Sequence, residues 1–204
     1  MVTETMMMRA FGRWSYDGIA VVDPGLKSYL NVKTPLVPKT GARYAAHRFW
    51  KSSKISVVER LVNKLMTPGH KAKKHKISSG HVTGKSNTVY KLVERTFMLI
   101  EQRLKKNPVE VFIKAVENAA PREEIITIEY GGARYPKAVE CAPQRRIDLT
   151  LKFMIQGAYG KTFNAKKKEE EALAEEIIAA YELSQNSNAV SKKLEIERQA
   201  DASR

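Results

Sequence analysis

The residues with the clearest chemical potential are the lysines and arginines between positions 39 and 92. This stretch holds thirteen basic residues and one acidic residue, Glu59, in a chain whose formal net charge is +14. Each phosphate that a lysine or arginine neutralises releases counterions and adds affinity. A solvated surface carries both signs of charge intermixed, so this concentration favours a face for a polyanionic partner such as a nucleic acid. A merely soluble basic protein is the alternative.

Within that stretch, residues 67–85 have the composition of a polar, glycine-containing loop. Its lysines would repel one another in water, and we expect them to bind phosphates: Lys71, Lys73, Lys74, Lys76 and Lys85. The loop also contains His70, His75 and His81, which raises the question of a metal site. No cysteine or carboxylate lies near these histidines at ligand spacing, so no metal and no other cofactor is expected.

Basic and aromatic side chains are interleaved between Arg43 and Lys51, a segment that includes Arg48, Phe49 and Trp50. Aromatic faces stack on bases while neighbouring cations hold phosphates. The alternative is that Phe49 and Trp50 anchor the chain to the core, and the two roles are compatible. Residues 1–50 contain three prolines and no helical period, which predicts an irregular N-terminal extension.

Residues 51–204 are predicted to form a helical domain, because apolar side chains recur at helical spacing in six segments. Most of the basic stretch lies within this domain, so we expect it to be the RNA-binding domain. Ser53 and Ser86 are candidate caps of the first two helices, and Asn107-Pro108 is a typical start for the third. The fourth helix opens at Pro143 and is expected to end at the glycines Gly157 and Gly160. The predicted fold class is mainly α: a bundle of about six helices with a protruding β-hairpin arm between the third and fourth helices, plus the irregular extension.

The hairpin is predicted at about residues 125–139, where apolar residues from Ile126 to Tyr130 alternate with polar ones. Gly131-Gly132 supplies a turn that tolerates positive φ, and Pro136 marks an exposed edge. Two strands alone are marginally stable, so the arm should lie on another surface. Arg134 and Tyr135, just past the tip, offer a cation and a stacking face to RNA.

Further cations stand on the later helices. Arg145 and Arg146 begin the fourth helix, where free amide groups also favour anions. Lys192 and Lys193 are expected to be exposed on the last helix. The run from Lys166 to Lys168 either precedes the fifth helix or holds a phosphate, and the acidic side of that helix should face solvent or a basic neighbour.

Several protein classes are disfavoured. The single cysteine, Cys141, cannot form an internal disulfide, which fits a reducing compartment, and a buried thiol is expected rather than a nucleophile. The first residues lack the apolar run of a signal peptide, and no stretch approaches the roughly 18 apolar residues of a membrane span. We therefore expect a soluble cytoplasmic protein with no membrane partner.

Two rival functions follow from the residues alone. An enzyme acting on RNA would need a catalytic motif, but the chain has no glycine-rich nucleotide motif and only Glu59 as a carboxylate in its basic stretch. No catalytic residues are therefore expected. A DNA-architectural protein, in which helices and a basic β-arm bend a duplex, is compatible with the composition.

The chain resembles ribosomal protein seven of the small subunit, in its archaeal and eukaryotic form (numbered five in older eukaryotic nomenclature). The resemblance lies in stretches that follow the family's order: VERLVNKLM at 58–66, NPVEVFIKAVENAAPREE at 107–124, GGARYPKAV at 131–139, APQRRIDLTLKFMIQGA at 142–158 and NSNAVSKKLEIERQA at 186–200. It covers about residues 53–204. The resemblance implies a six-helix bundle with a hairpin arm between the third and fourth helices.

It also implies a primary RNA-binding protein of the ribosome. Such a protein holds the three-prime domain of small-subunit ribosomal RNA, nucleates assembly of the head, contacts neighbouring head proteins, and lies near the exit site, close to transfer RNA and messenger RNA. Together with Arg48 from the basic and aromatic segment, the expected RNA-binding residues are Lys51, Lys54, Lys71, Lys73, Lys74, Lys76, Lys85, Arg134, Tyr135, Arg145, Arg146, Lys192 and Lys193.

Overall fold

The computed structural model describes residues 9–32, 55–68 and 81–204, and this part of the chain is mainly helical. A short helix α1 (Pro24–Lys27) precedes six longer ones. These are α2 (Val57–Leu65), α3 (Ser86–Leu104), α4 (Pro108–Ala119), α5 (Pro143–Thr162), α6 (Glu169–Tyr181) and α7 (Asn188–Ala202). An antiparallel hairpin of β3 (Glu123–Tyr130) and β4 (Ala133–Glu140) lies between α4 and α5. The predicted fold class is thereby confirmed, with the arm between the third and fourth long helices.

Helix α6 is the central element of the core. It packs against α3, α4 and α5, and α7 closes the bundle against α5. The apolar stripes that the sequence predicts for these helices meet here. The side chains of Phe97, Phe112, Ile147, Leu173 and Ile177 are fully buried, and burial of each such side chain stabilises the fold by roughly 1.5–3 kcal/mol.

Residues 9–32 form a strap across the bundle, and we call them the N-terminal strap. It begins with the strand pair β1 (Arg9–Ala10) and β2 (Trp14–Ser15) and ends after α1. Trp14 is buried, its ring meets Phe97 edge-on at 5.8 Å between centroids, and its indole N–H donates to Glu101 at 3.0 Å. The side-chain amide of Asn107 donates to the carbonyl of Ser15 at 2.8 Å. The strap is therefore packed on the bundle.

The helix starts confirm one predicted cap and correct two others. Asn107 caps α4, and its side-chain oxygen accepts from the Val109 amide at 3.0 Å. Helix α2 begins after Ser56, not Ser53, because Asn31 of the strap pairs with Ser56 as an isolated bridge and holds the preceding backbone extended. Ser86 is the first helical residue of α3, so the N-cap position is occupied by Lys85 and not by Ser86.

The prediction that Gly157 and Gly160 end the fourth helix is wrong, since α5 continues through both to Thr162. A Cβ atom at Gly157 would lie 2.6 Å from the Cβ of Asn188 and 3.0 Å from the carboxylate of Glu176. The glycine at 157 is therefore required by close packing of α5 against α6 and α7. Nothing lies within 4 Å of the corresponding position at Gly160.

This difference yields a matched pair of substitutions. We expect Gly157→Ala to lower the free energy of unfolding by about 1–3 kcal/mol, because the new methyl group must displace a neighbouring helix. Gly160→Ala meets open space and should raise that free energy by up to about 1 kcal/mol through helix propensity. Urea unfolding followed by circular dichroism measures both, and a stabilising Gly157→Ala would contradict the packing argument.

Candidate nucleic-acid interface

Seven of the predicted RNA-binding residues lie outside the described residues and stay predictions: Arg48, Lys51, Lys54, Lys71, Lys73, Lys74 and Lys76. The described ends of the basic loop are held together, because the amide of Gly84 donates to the carbonyl of Met66 at 3.2 Å. Lys85 follows directly, is exposed, and forms no ion pair with any residue that the structure describes. The loop at 67–85 thus spans from the end of α2 to the start of α3.

The hairpin arm extends over residues 123–140, slightly longer than predicted. Its two-residue turn is Gly131-Gly132, with φ values of +58° and +82°, as the strand pattern predicts. Tyr130 is 82% exposed and Tyr135, opposite Ile128, is 58% exposed. Both aromatic faces near the tip are therefore open to a partner that stacks on them.

Arg134 lies beside a carboxylate on the same arm. Its Nε atom is 3.6 Å from a carboxylate oxygen of Glu129, its partner across the two strands. Both side chains are largely exposed, so this ion pair is weak and leaves the guanidinium accessible.

The base of the arm is fastened to α7, which packs along β3. The backbone amide of Arg122, just before β3, donates to the carboxylate of Glu197 at 3.0 Å. Arg204 at the end of α7 forms an ion pair with Glu123. The arm is therefore anchored at its base, while the residues from Ile126 to Tyr135 extend from the bundle.

Arg145 and Arg146 are adjacent in sequence but lie in different environments. The side chain of Arg145 is 56% exposed, and its Nε atom lies 2.6 Å from the carboxylate of Glu124. Arg146 is buried; it donates through Nε to the carbonyl of Pro121 at 2.9 Å and through Nη2 to Asp23 at 2.7 Å. Arg146 therefore fastens the strap to the bundle, and only Arg145 presents a cation at the surface.

Lys192 and Lys193, the last two predicted RNA-binding lysines, also lie in different environments. Lys192 forms an ion pair with Glu195 and keeps 45% of its side chain exposed. Lys193 is half-buried, and its ammonium donates to the carbonyl of Asn118 at 2.8 Å, near the end of α4. Burial lowers the pKa of Lys193 below its ordinary value. Lys193 thus satisfies a helix C-terminal carbonyl, a favourable place for a cation.

A mixed group of charges lies where α2 meets α5, and we call Lys64, Arg145, Asp148 and Lys152 the α2/α5 face. Asp148 lies 3.7 Å from the ammonium of Lys64 and 3.3 Å from the guanidinium of Arg60, which is buried beneath it. Positions 145, 148 and 152 share one side of a helix. Lys152 is exposed and has no ion pair within the described part of the chain.

The acidic side of α6 faces a basic neighbour, one of the two predicted possibilities, and that neighbour is α3. Arg95 of α3 lies 3.5 Å from Glu170, and Arg103 lies 3.9 Å from Glu175. Glu175 also pairs with Lys167. The run Lys166–Lys168 precedes α6, which begins at Glu169. On this side of the bundle, Arg95, Arg103 and Lys167 are therefore paired within the chain.

Cys141 is buried beside Glu124. Burial, followed by the charge of Glu124 and a hydrogen bond with it, raises the pKa of the thiol to about 11. The sulfur is therefore a protonated thiol near neutral pH and not a thiolate nucleophile.

Across residues 9–32, 55–68 and 81–204, no group of three or more histidine, cysteine or carboxylate side chains is placed to hold a metal ion. His70 and His75 lie outside these ranges. None of the described helices has the length and apolar character needed to cross a membrane.

The contact between Asp23 and Arg146 generates a pH-dependent prediction. Burial alone raises the pKa of Asp23, but hydrogen bonds from Arg146 and the Gly25 amide, with the nearby positive charges, outweigh it and bring the pKa below its ordinary value. Asp23 therefore adds stability above its unfolded pKa of about 4, and that stability is lost as the pH falls through the lower folded value.

We expect Asp23→Asn to lower the free energy of unfolding by about 2–3 kcal/mol at pH 7, because it leaves the buried Arg146 without its counterion. Asparagine keeps the cap of α1, so the change isolates the charge. The difference from the wild type should shrink below about pH 4. The control, Asp201→Asn, alters an exposed ion pair and should cost under about 0.5 kcal/mol. An undiminished Asp23→Asn effect at pH 3 would refute the electrostatic account.

Comparison with known proteins places this architecture in a family. The chain is 55% identical over 199 residues to small ribosomal subunit protein uS7 of Nanoarchaeum equitans (strain Kin4-M), covering 98% of this chain and 100% of that protein. It is 41% identical over 197 residues to small ribosomal subunit protein uS7 of Methanothrix thermoacetophila, covering 97% and 100%. The profile of the family described as ribosomal protein S7p/S5e matches residues 26–204. The chain therefore belongs to the ribosomal protein S7p/S5e family.

Proposed function

We propose that this protein is a structural, non-catalytic constituent of the small ribosomal subunit, located with it in the cytoplasm. In this role it binds the three-prime domain of small-subunit ribosomal RNA and nucleates assembly of the head. The observation that carries the proposal is the confinement of nearly all the excess positive charge to residues 39–92 in a chain of this family. Such a field attracts RNA phosphates and makes binding depend on salt.

The α2/α5 face supports this assignment. Helix α2 is part of the basic stretch, and α5 packs directly against this helix. Arg145 and Lys152 are exposed on α5, and Asp148 between them is already engaged by Lys64 and Arg60. The face therefore adds positive charge beside the basic stretch, where a phosphate backbone benefits from it. Arg146 and Lys193 are left out of the proposed surface, because the fold uses both.

The hairpin arm supports a contact with transfer RNA and messenger RNA at the exit site. It is anchored at its base and carries the exposed rings of Tyr130 and Tyr135 at its far end. Unstacked bases bind to such rings, and the exposed Arg134 supplies a phosphate partner. We propose that the arm reaches exit-site transfer RNA and messenger RNA, while the bundle contacts ribosomal RNA and neighbouring head proteins.

Replacing Arg145 by Ala tests the α2/α5 face. We expect affinity for a transcript of the three-prime domain of an archaeal small-subunit RNA to fall about 3- to 10-fold, and the salt slope to decrease by about one. The matched control is Arg95→Ala, since Arg95 is also an exposed arginine paired with a glutamate, but on the side where α3 meets α6. Filter binding at several salt concentrations measures both variants, and equal losses would remove the α2/α5 face from the interface.

Shortening the arm separates assembly from exit-site function. Replacing Thr127–Pro136 by Gly-Gly joins the paired residues Ile126 and Lys137 through a two-residue turn like the native one. We expect the helical circular-dichroism signal to persist, because α7 holds the residues that remain. Reconstituted subunits should assemble yet retain exit-site transfer RNA poorly.

The control for that experiment is Tyr130→Ala with Tyr135→Ala, which keeps the arm at full length and removes only the stacking faces. Loss of helical signal on shortening would show that the arm belongs to the core. Unchanged transfer-RNA retention in the shortened variant would show that the arm does not reach the exit-site ligand.

A further inference from the structure

A cavity of about 450 Å³ lies at the base of the hairpin arm, where four parts of the chain meet. Strap residues 22–24 form one wall, and Lys114 and Glu117 of α4 form a second. Arg122, which directly precedes β3, and Arg146 of α5 complete it. Of these residues, only Arg146 belongs to a motif that the sequence alone indicates.

The two carboxylates of this cavity are occupied by donors of the protein itself. Glu117 accepts from the backbone amides of Val22 at 2.6 Å and Asp23 at 3.0 Å. Asp23 accepts from Arg146 at 2.7 Å and from the Gly25 amide at 2.8 Å. The charge of Asp23 is balanced by Arg146. The amides that donate to Glu117 are neutral, so Lys114 is the cation that balances the charge of Glu117.

Two cations keep donors for a ligand. The side chain of Arg122 forms no ion pair or hydrogen bond with any residue of the described ranges, and its five N–H groups stay available. The ammonium of Lys114 lies 3.4 Å from Glu117 and has further N–H groups to donate, and the side chain is 43% exposed. The cavity is thus lined by three cations and two carboxylates, and this excess of one positive charge offers a site for a single anionic group.

Part of the lining is apolar and open. Val22 is 69% exposed, although its backbone amide is held by Glu117, and Pro24 beside it is also exposed. An exposed valine and proline in the same cavity as two cations match a ligand with an anionic end and a flat apolar part. A nucleotide has both, namely a phosphate and a base.

We propose that this cavity binds one nucleotide of an RNA strand, with its phosphate at Arg122 and Lys114 and its base or sugar against Val22 and Pro24. The proposal rests on the proposed function and deepens it. Because Arg122 adjoins Glu123 of β3, RNA along the arm would continue into the cavity without crossing the paired charges between α3 and α6. The strap and the base of the arm then form one binding surface.

The test is the double variant Lys114→Gln, Arg122→Gln in the full chain, with the same three-prime domain transcript as probe. The backbone amide of Arg122 keeps its bond to Glu197. We expect affinity to fall roughly 10-fold at fixed salt and the salt slope to decrease by one to two. The matched control, Arg103→Gln with Lys105→Gln, removes one arginine and one lysine at the end of α3, where Arg103 faces Glu175. It should keep nearly full affinity.

A second variant guards against loss of folding. Val22→Glu places a negative charge at the exposed wall without touching either cation, and it should weaken binding by a similar factor while thermal unfolding stays unchanged. If the wild type binds the transcript steeply with salt but the cavity variants match the control, the cavity proposal is overturned and the proposed function stands. If the wild type binds the three-prime domain transcript no more tightly than a five-prime domain transcript or duplex DNA, the proposed function itself fails.

Discussion

The buried carboxylate of Glu176 determines how the last three helices meet. It is fully inaccessible, and it accepts from the Ser187 hydroxyl at 2.8 Å, the Ala189 amide at 3.1 Å and the Lys161 ammonium at 3.1 Å. A buried charge is tolerated only with such partners. The carboxylate thus fixes the start of α7 against α6, and α7 in turn holds the base of the hairpin arm through Glu197 and Arg204. The direction of the arm depends on this contact inside the core.

The contact between the strap and the bundle obeys the same principle. Asp23 and Arg146 pair with each other, and Glu117 accepts from the backbone amides of Val22 and Asp23, so three charged groups serve structure. In each of the two pairs of consecutive basic residues, one side chain is used by the fold and the other is left at the surface. Arg146 and Lys193 satisfy carbonyls of the bundle, while Arg145 and Lys192 stay at the surface. One short basic motif therefore supplies both a structural cation and a surface cation.

The sequence predicts the helices and the arm well, because the apolar periods of 3.6 and 2 arise from burial of one face. It predicts boundaries less well where distant residues decide them. Gly157 lies inside α5 because of Asn188 and Glu176, and Ser56 begins α2 because Asn31 pairs with it. The burial of Arg146 also could not be predicted from the sequence, since its partner Asp23 lies 123 positions earlier. Arg122 and Lys114 carry no local motif, and only the folded strap brings them to one cavity.

The central claim is that the positive face of this protein recognises one ribosomal RNA domain and does more than attract polyanions. The most direct measurement is its affinity, at one salt concentration of about 0.3 M, for the three-prime domain, for a five-prime domain transcript of similar length, and for duplex DNA. The account predicts at least about 100-fold tighter binding to the three-prime domain, because specific contacts survive salt that weakens non-specific ones. Equal affinity for all three would contradict it.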